Sequence, residues 1–87
     1  MLEQFLDQKI VLDLRAEFVC LGTLKSYDDH FLELRNADLH DLRDTQTSRE
    51  NYVAASVRTG IKRNRKRVLI WRGEIVAVSR MDEVVDD

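Results

Sequence analysis

The chain has 87 residues, 44% of them apolar and 34% charged, with a formal net charge of −2: a globular composition, enough for one domain with a modest core that burial against a second copy would enlarge. No apolar run approaches the roughly 20 residues that span a bilayer, so no membrane partner is expected. The single cysteine, Cys20, excludes an intrachain disulfide and a multi-cysteine zinc site, and the N-terminal "MLEQFLDQKIVLDL" carries acids in its apolar stretch and no basic leader, so a reducing, cytoplasmic home is the simplest expectation.

Leu2, Phe5 and Leu6 have helical spacing, which predicts a short N-terminal helix ending near Gln8 and too short to stand alone. From Lys9 the period changes to two: Ile10, Leu12 and Leu14 alternate with Val11, Asp13 and Arg15, a half-buried strand. In "EFVCLGTLKS" the run Phe18–Leu21 predicts a second strand covered on both faces, with Gly22 placed where a bulge or sharp bend forms. "YDDH" (27–30) is a turn, since Asp accepts hydrogen bonds from nearby backbone N–H groups. "FLELRN" (31–36) follows as a third strand with Leu32 and Leu34 on one face and Glu33 and Arg35 on the other. In the region 37–67, Thr47 and Glu50 offer a capping box and Gly60 a stop, predicting a helix from about 48 to 59; an extended hairpin through Tyr52, Val53 and Val57 is the alternative. "VLIW" (68–71) and "EIVAVS" (74–79) predict two further strands, and the Arg72–Gly73 link between them is a hairpin signal.

Charge is unevenly spread. Seven of the fourteen Lys and Arg residues lie between Arg58 and Arg72 with no acid among them, six acids lie between Asp28 and Asp44, and the tail 81–87 adds four more. "IKRNRKR" is either a solvated basic loop or a sequence-independent attractor of phosphate. Asp28 and Asp29, read alone, are turn formers, and His30 is an exposed histidine. Asp28, His30 and His40 are metal-ligand types at a spacing that matches no standard pattern, so neither metal nor cofactor is expected. Cys20 reads as a small core residue and Trp71 as core or subunit interface. With no phosphate loop, nucleophile elbow or acid/base pair, catalysis is not expected.

Two segments together resemble the Sm-like (LSm and Hfq) superfamily. "GTLKSYDDHFLELRN" (22–36) looks like the first Sm motif, with Gly22, Leu24, Tyr27 and Asp28 in its glycine, apolar, aromatic and aspartate positions, and "VLIWRGEIVAVS" (68–79) looks like the second, an apolar strand, Arg-Gly and an apolar strand. The resemblance implies a mostly β fold over residues 1–87: a short N-terminal helix, then a five-stranded, strongly bent antiparallel small barrel, with the insertion at about 37–67 between strands three and four. It departs from the usual pattern at Leu32, where Sm proteins carry the Asn that reads uracil, and it lacks the Lys-His of Hfq.

The resemblance further implies a homo-hexameric or homo-heptameric ring, formed by strand four of one barrel pairing with strand five of the next, that holds single-stranded, U-rich RNA at its central pore. His30 and Arg72 would sandwich an unstacked base, Gly73 would admit the nucleotide closely and Asp28 would orient the pair. Lys62, Arg63, Arg65, Lys66 and Arg67 would make weaker phosphate contacts. The competing expectation is a ring-forming protein-interaction scaffold that has lost specific RNA binding; a third is an unrelated, monomeric small barrel.

Overall fold

Strand β1 (Lys9–Leu14) and strand β2 (Phe18–Tyr27) pair antiparallel, and β2 pairs in turn with β3 (Phe31–Asp41). The computed structural model describes residues 1–44 and 46–85, and adds β4 (Arg65–Trp71) on the outer side of β3 and β5 (Ile75–Arg80) beside β1, giving one antiparallel sheet of order β4-β3-β2-β1-β5. Only the three-residue 3₁₀ turn Arg72–Glu74 joins the two outermost strands, so the sheet must curl until its edges approach: it is a bent small barrel.

The bend has a local cause. A Cβ on Gly22 would lie 3.0 Å from the Ala37 Cβ and 3.2 Å from the Arg35 carbonyl oxygen, so β2 and β3 approach there as only glycine allows. The register between them shifts across Leu21/Thr23, and Asn36 takes a left-handed φ of 51°. Gly22 is thus the bulge that its position in the strand predicts.

Two apolar clusters flank the sheet. Inside the barrel lie Ile10, Leu12, Leu14, Cys20, Leu24, Leu32, Leu34, Ala37 and Ile70, with the N-terminal Leu2, Phe5 and Leu6 packed against them. Burial pushes the Cys20 thiol up to about 12, which makes it an inert core group. On the other face Val11, Val19 and Leu21 meet Val53 and Met81. Val53 comes from helix α1 (Arg49–Thr59), so the run 18–21 is covered on both faces because the insertion folds back over it.

Several expectations are corrected. The N-terminal helix is a single 3₁₀ turn, Leu2–Phe5: Asp7 turns to a φ of 63° and donates its N–H to the Leu24 carbonyl, which peels the chain onto β2. The helix of the insertion exists and stops at Gly60 (φ 93°), but its cap is Ser48, whose hydroxyl accepts the Asn51 N–H, rather than a Thr47–Glu50 box. Strands β3 and β4 run five and three residues further into the insertion than their apolar patterns suggest, which leaves 42–64 as the insertion proper. β4 and β5 form no hairpin. Of the two places expected for Trp71, core or subunit interface, its 60% exposure excludes the core. Of the acidic tail, Met81–Glu83 forms a 3₁₀ turn with Met81 buried and Asp82 paired to Arg80, while Asp86 and Asp87 lie outside the described residues.

Candidate nucleic-acid interface

The turn between β2 and β3 is built by Asp28. Its carboxylate Oδ1 accepts the backbone N–H groups of His30 and Phe31, each at 2.7 Å, while its own N–H donates to the Phe31 carbonyl at 2.9 Å. The two donated N–H bonds hold the Asp28 carboxyl below the usual carboxylate range, with smaller help from His30 and Arg72. The carboxylate is thus engaged by the backbone of its own turn. It folds the turn.

The Arg-Gly turn is tied to the main-chain carbonyls of this turn. The Arg72 N–H donates to the His30 carbonyl at 2.8 Å, and Arg72 Nη1 donates to the Asp28 carbonyl at 2.7 Å. Arg72 and His30 are therefore brought together on one exposed rim, with the guanidinium anchored at one nitrogen to a neutral carbonyl and, among the described residues, in no salt bridge. From the other side Arg15 steadies the turn, its Nε donating to the Gly73 carbonyl at 3.0 Å and its N–H to the Glu74 carbonyl at 2.9 Å. Gly73 has ordinary backbone angles, and a Cβ there would come no closer than 3.8 Å to the Trp71 indole, so the chain itself does not demand glycine at this position.

Position 32 faces away from this rim. Leu32 is 1% exposed, paired with Ile70 in the barrel core, and offers nothing to a base edge. Its neighbour Phe31 does face outward, directly opposite Trp71 in the β3–β4 register, so two exposed aromatic side chains stand beside Arg72 and His30. Alternation along β3 places Phe31 outside, but Trp71 in an apolar "VLIW" run gives no such signal.

The basic run 62–67 does not act as one cluster. Lys62 and Arg63 precede β4, while Arg65, Lys66 and Arg67 begin it. Arg67 Nε sits 2.6 Å from Glu33, which also accepts from Arg35 (3.1 Å) and from Ser26 (2.7 Å). These three partners pull the Glu33 carboxyl down to about 2, Ser26 contributing most. Arg63, Arg65 and Lys66 instead line a groove that also takes in Lys25 and Arg35, two cations distant in sequence.

Asn64, the one uncharged residue in that run, decides how it is held. Its side chain bonds both the N–H and the carbonyl of Leu39 and the Oδ1 of Asp38, each at 3.0 Å. Asp38, 5% exposed, also accepts the Tyr52 hydroxyl, and Tyr52 stacks on His40 at 4.0 Å between ring centroids. Burial pushes the Asp38 carboxyl up, against the opposing pull of His40 and Lys62. His40 is thus engaged with α1, away from Asp28 and His30, and among the described residues no three His, Cys, Asp or Glu side chains gather as a metal site would need. No described helix is long and apolar enough to cross a membrane.

No protein-family model matches the chain, and no curated protein sequence does. Among solved structures, it is similar to that of a Pyrococcus abyssi Sm protein in complex with a uridine heptamer, at 18% identity and a TM-score of 0.62, over 91% of this chain and 90% of that one. Strand number, order, bend and the paired turns agree with what the two motifs imply, and the chain has the Sm-like fold.

Proposed function

We propose that the protein is a ring-forming Sm-like RNA-binding protein, acting by binding rather than catalysis in the cytoplasm, that holds single-stranded, U-rich RNA by base stacking at His30 and Arg72. The observation that carries this reading is the pair of bonds from Arg72 to the Asp28 and His30 carbonyls, which ties the residue that bears the guanidinium to the turn that bears the His30 imidazole, both residues being exposed. Stacking on such planes holds unpaired bases and is worth about 1–3 kcal/mol each. It gains support from the likeness of fold to an Sm protein solved with a uridine heptamer. Ring assembly is supported by the sheet itself, whose terminal strands β4 and β5 each have a free edge and expose Leu69, Trp71 and Val76. Six or seven copies would close the ring.

Fluorescence anisotropy of short oligo-U and oligo-A, at low and near-physiological salt, tests the reading. Salt-tolerant binding that prefers U is expected, and Arg72→Ala should weaken it roughly tenfold to a hundredfold while leaving the mass in solution unchanged. Binding that ignores the base, disappears with salt and is indifferent to Arg72→Ala would reduce the interface to charge alone.

A second reading has its own observation. Because Leu32 is buried and α1 covers one flank of the barrel with Val57 exposed, the ring could serve as a protein scaffold with α1 as its docking surface. Untreated preparations that carry a specific protein passenger and no nucleic-acid absorbance would favour it.

A further inference from the structure

Where β2, β3 and β4 run side by side beyond the turns, their outer face gathers charge that no single stretch of sequence holds. A groove of about 590 Å³ is lined by Lys25 of β2, Arg35 and Asn36 of β3, Arg65 and Lys66 of β4 and Arg63 just before it, with no carboxylate in the lining. Two of these cations have acidic partners outside the groove: Lys25 reaches Asp7 at 3.0 Å and Arg35 reaches Glu33 at 3.1 Å. The Lys25–Asp7 pair is solvent-exposed and therefore weak, whereas Arg35 shares the largely covered Glu33 carboxylate with Arg67 and Ser26. The other three have no carboxylate partner among the described residues: Arg63 bonds the Asn36 amide oxygen at 3.1 Å, Arg65 bonds the Asn64 carbonyl at 3.0 Å, and the Lys66 ammonium bonds none of the described residues.

The cations are held in place rather than displayed on a loose loop. Asn64 donates its N–H to the Ala37 carbonyl and clamps Leu39 and Asp38 with its side chain, which fixes the entry to β4 and with it the residues on either side, Arg63 and Arg65. Asn36, at the left-handed bend of β3, turns its amide oxygen to Arg63.

Between this groove and the Asp28 turn, the same face carries exposed rings. Tyr27, Phe31 and Leu69 line a shallow depression with Ser26, Asp28, Glu33 and Arg67, and both of its carboxylates are engaged, Asp28 by the backbone of its own turn and Glu33 by Ser26, Arg35 and Arg67. Phe31, Glu33 and Arg35 alternate outward on β3, so Arg35 stands about 13 Å from Phe31 at the ordinary rise of a strand. A line of rings leading into an acid-free groove suits a polymer that has flat bases as well as anionic links, and it would be wasted on an acidic peptide.

We propose that this groove is a second contact for the phosphodiester backbone of single-stranded RNA, so that one strand is engaged twice on one face, by stacking at His30 and Arg72 and by phosphate capture at Lys25, Arg35, Arg63, Arg65 and Lys66. The inference rests on the RNA-binding reading and adds to it a site outside the turns. Linking two contacts through one strand raises affinity only for strands long enough to reach both.

The test compares labelled oligo-U of about six and about eighteen nucleotides on the full chain in its native assembly. In the double variant Arg65→Gln/Lys66→Gln, the long strand should bind roughly tenfold more weakly at low salt. Its salt slope should fall by about 1.4, or 0.7 for each of two lost phosphate contacts, and the short strand should bind as before. Lys25→Gln, on another strand of the sheet, should act in the same direction and less. All these side chains are exposed, so an unchanged melting temperature certifies the variants. The groove is overturned if both variants bind the long strand like wild type, if short and long strands lose affinity equally, or if polyglutamate of matched charge displaces the long strand as well as unlabelled RNA does. Failure of the turn reading is a separate result: Arg72→Ala would then leave the short strand unaffected while the groove variants still report on the long one. If wild type binds neither strand, both readings fall.

Discussion

Two buried or bonded aspartates, ten residues apart, summarise two regions built on different terms. Asp28 closes the β2–β3 turn with short bonds to residues two and three positions away, and its carboxyl is held below its usual range. Asp38 holds the insertion 42–64 onto the barrel through Tyr52 and Asn64, and its carboxyl is pushed above its usual range by burial. The first is a charge stabilised by donors; the second is a charge partly stripped of water and satisfied by partners 14 and 26 residues away. Local bonding makes a rigid rim for a ligand. Long-range bonding makes a docked appendage whose attachment can be weakened separately.

The largest expected effect removes the feature both regions share. Gly22→Ala would set a Cβ 3.0 Å from that of Ala37 and 3.2 Å from backbone, in a stretch where neither strand is a flexible side chain that can swing aside. Overpacking of this kind costs about 1–3 kcal/mol. A lowered urea midpoint is expected, with loss of RNA binding in parallel, because the bend sets both the rim and the outer groove. A variant as stable as wild type would mean that β2 and β3 can part at the bend, and the comparison would lose its common frame.

How much of this was legible in the sequence follows the same division. Gly22, the "YDDH" turn and the Arg-Gly turn could be read because each is specified within a few residues. The alternation of Leu32 and Leu34 with Glu33 and Arg35 likewise fixed which face of β3 is buried. What escaped was whatever a distant partner decides. The period of Leu32 and Leu34 breaks at Asn36, whose left-handed φ of 51° restarts it out of phase at Ala37 and Leu39, and Arg65–Arg67 hold no apolar residue and become strand because they lie beside β3. An Arg-Gly link says that the chain turns, not which edge of a curled sheet receives the next strand, so its hairpin signal carries no information on the separation of β4 from β5. Lys25 and Arg35 join the basic groove from strands whose sequence is not basic. The N-cap missed by one position, Thr47 for Ser48, because adjacent hydroxyl residues offer the same chemistry.

A smaller effect separates the two regions. Tyr52→Phe deletes the hydroxyl that Asp38 accepts and leaves the Asn64 amide as its remaining side-chain donor. A buried carboxylate short of one partner costs about 1–3 kcal/mol. The loss should appear as faster hydrogen exchange in α1, while amides of β1, β2 and β3 and the affinity for a short oligo-U stay as they were. If the barrel strands lose protection together with α1, the insertion is an integral part of the cooperative unit and not an appendage.

The smallest effect is one of sign. Glu33, on the outer face near the rim, is depressed from an ordinary 4.5 to about 2, and Asp28 is lowered as well. Groups of this kind stabilise the fold fully above their unfolded values, and that contribution is lost as pH falls from about 4.5 towards 2. Asp38 runs the other way. Its raised carboxyl opposes folding while ionised, so acidification through its folded value relieves the burial of charge under α1, where His40 and Lys62 already offset part of it and Cys20 lies within its field. On lowering the pH from neutral towards the ordinary carboxylate range, exchange protection in α1, corrected for intrinsic rates, should therefore rise slightly while that of the His30 and Phe31 amides holds. Below that range the turn amides should be the ones to lose protection. Parallel curves for the two sets would show that the two aspartates feel one environment, and Asp38→Asn, which should flatten only the α1 curve, locates the difference in a single carboxyl group.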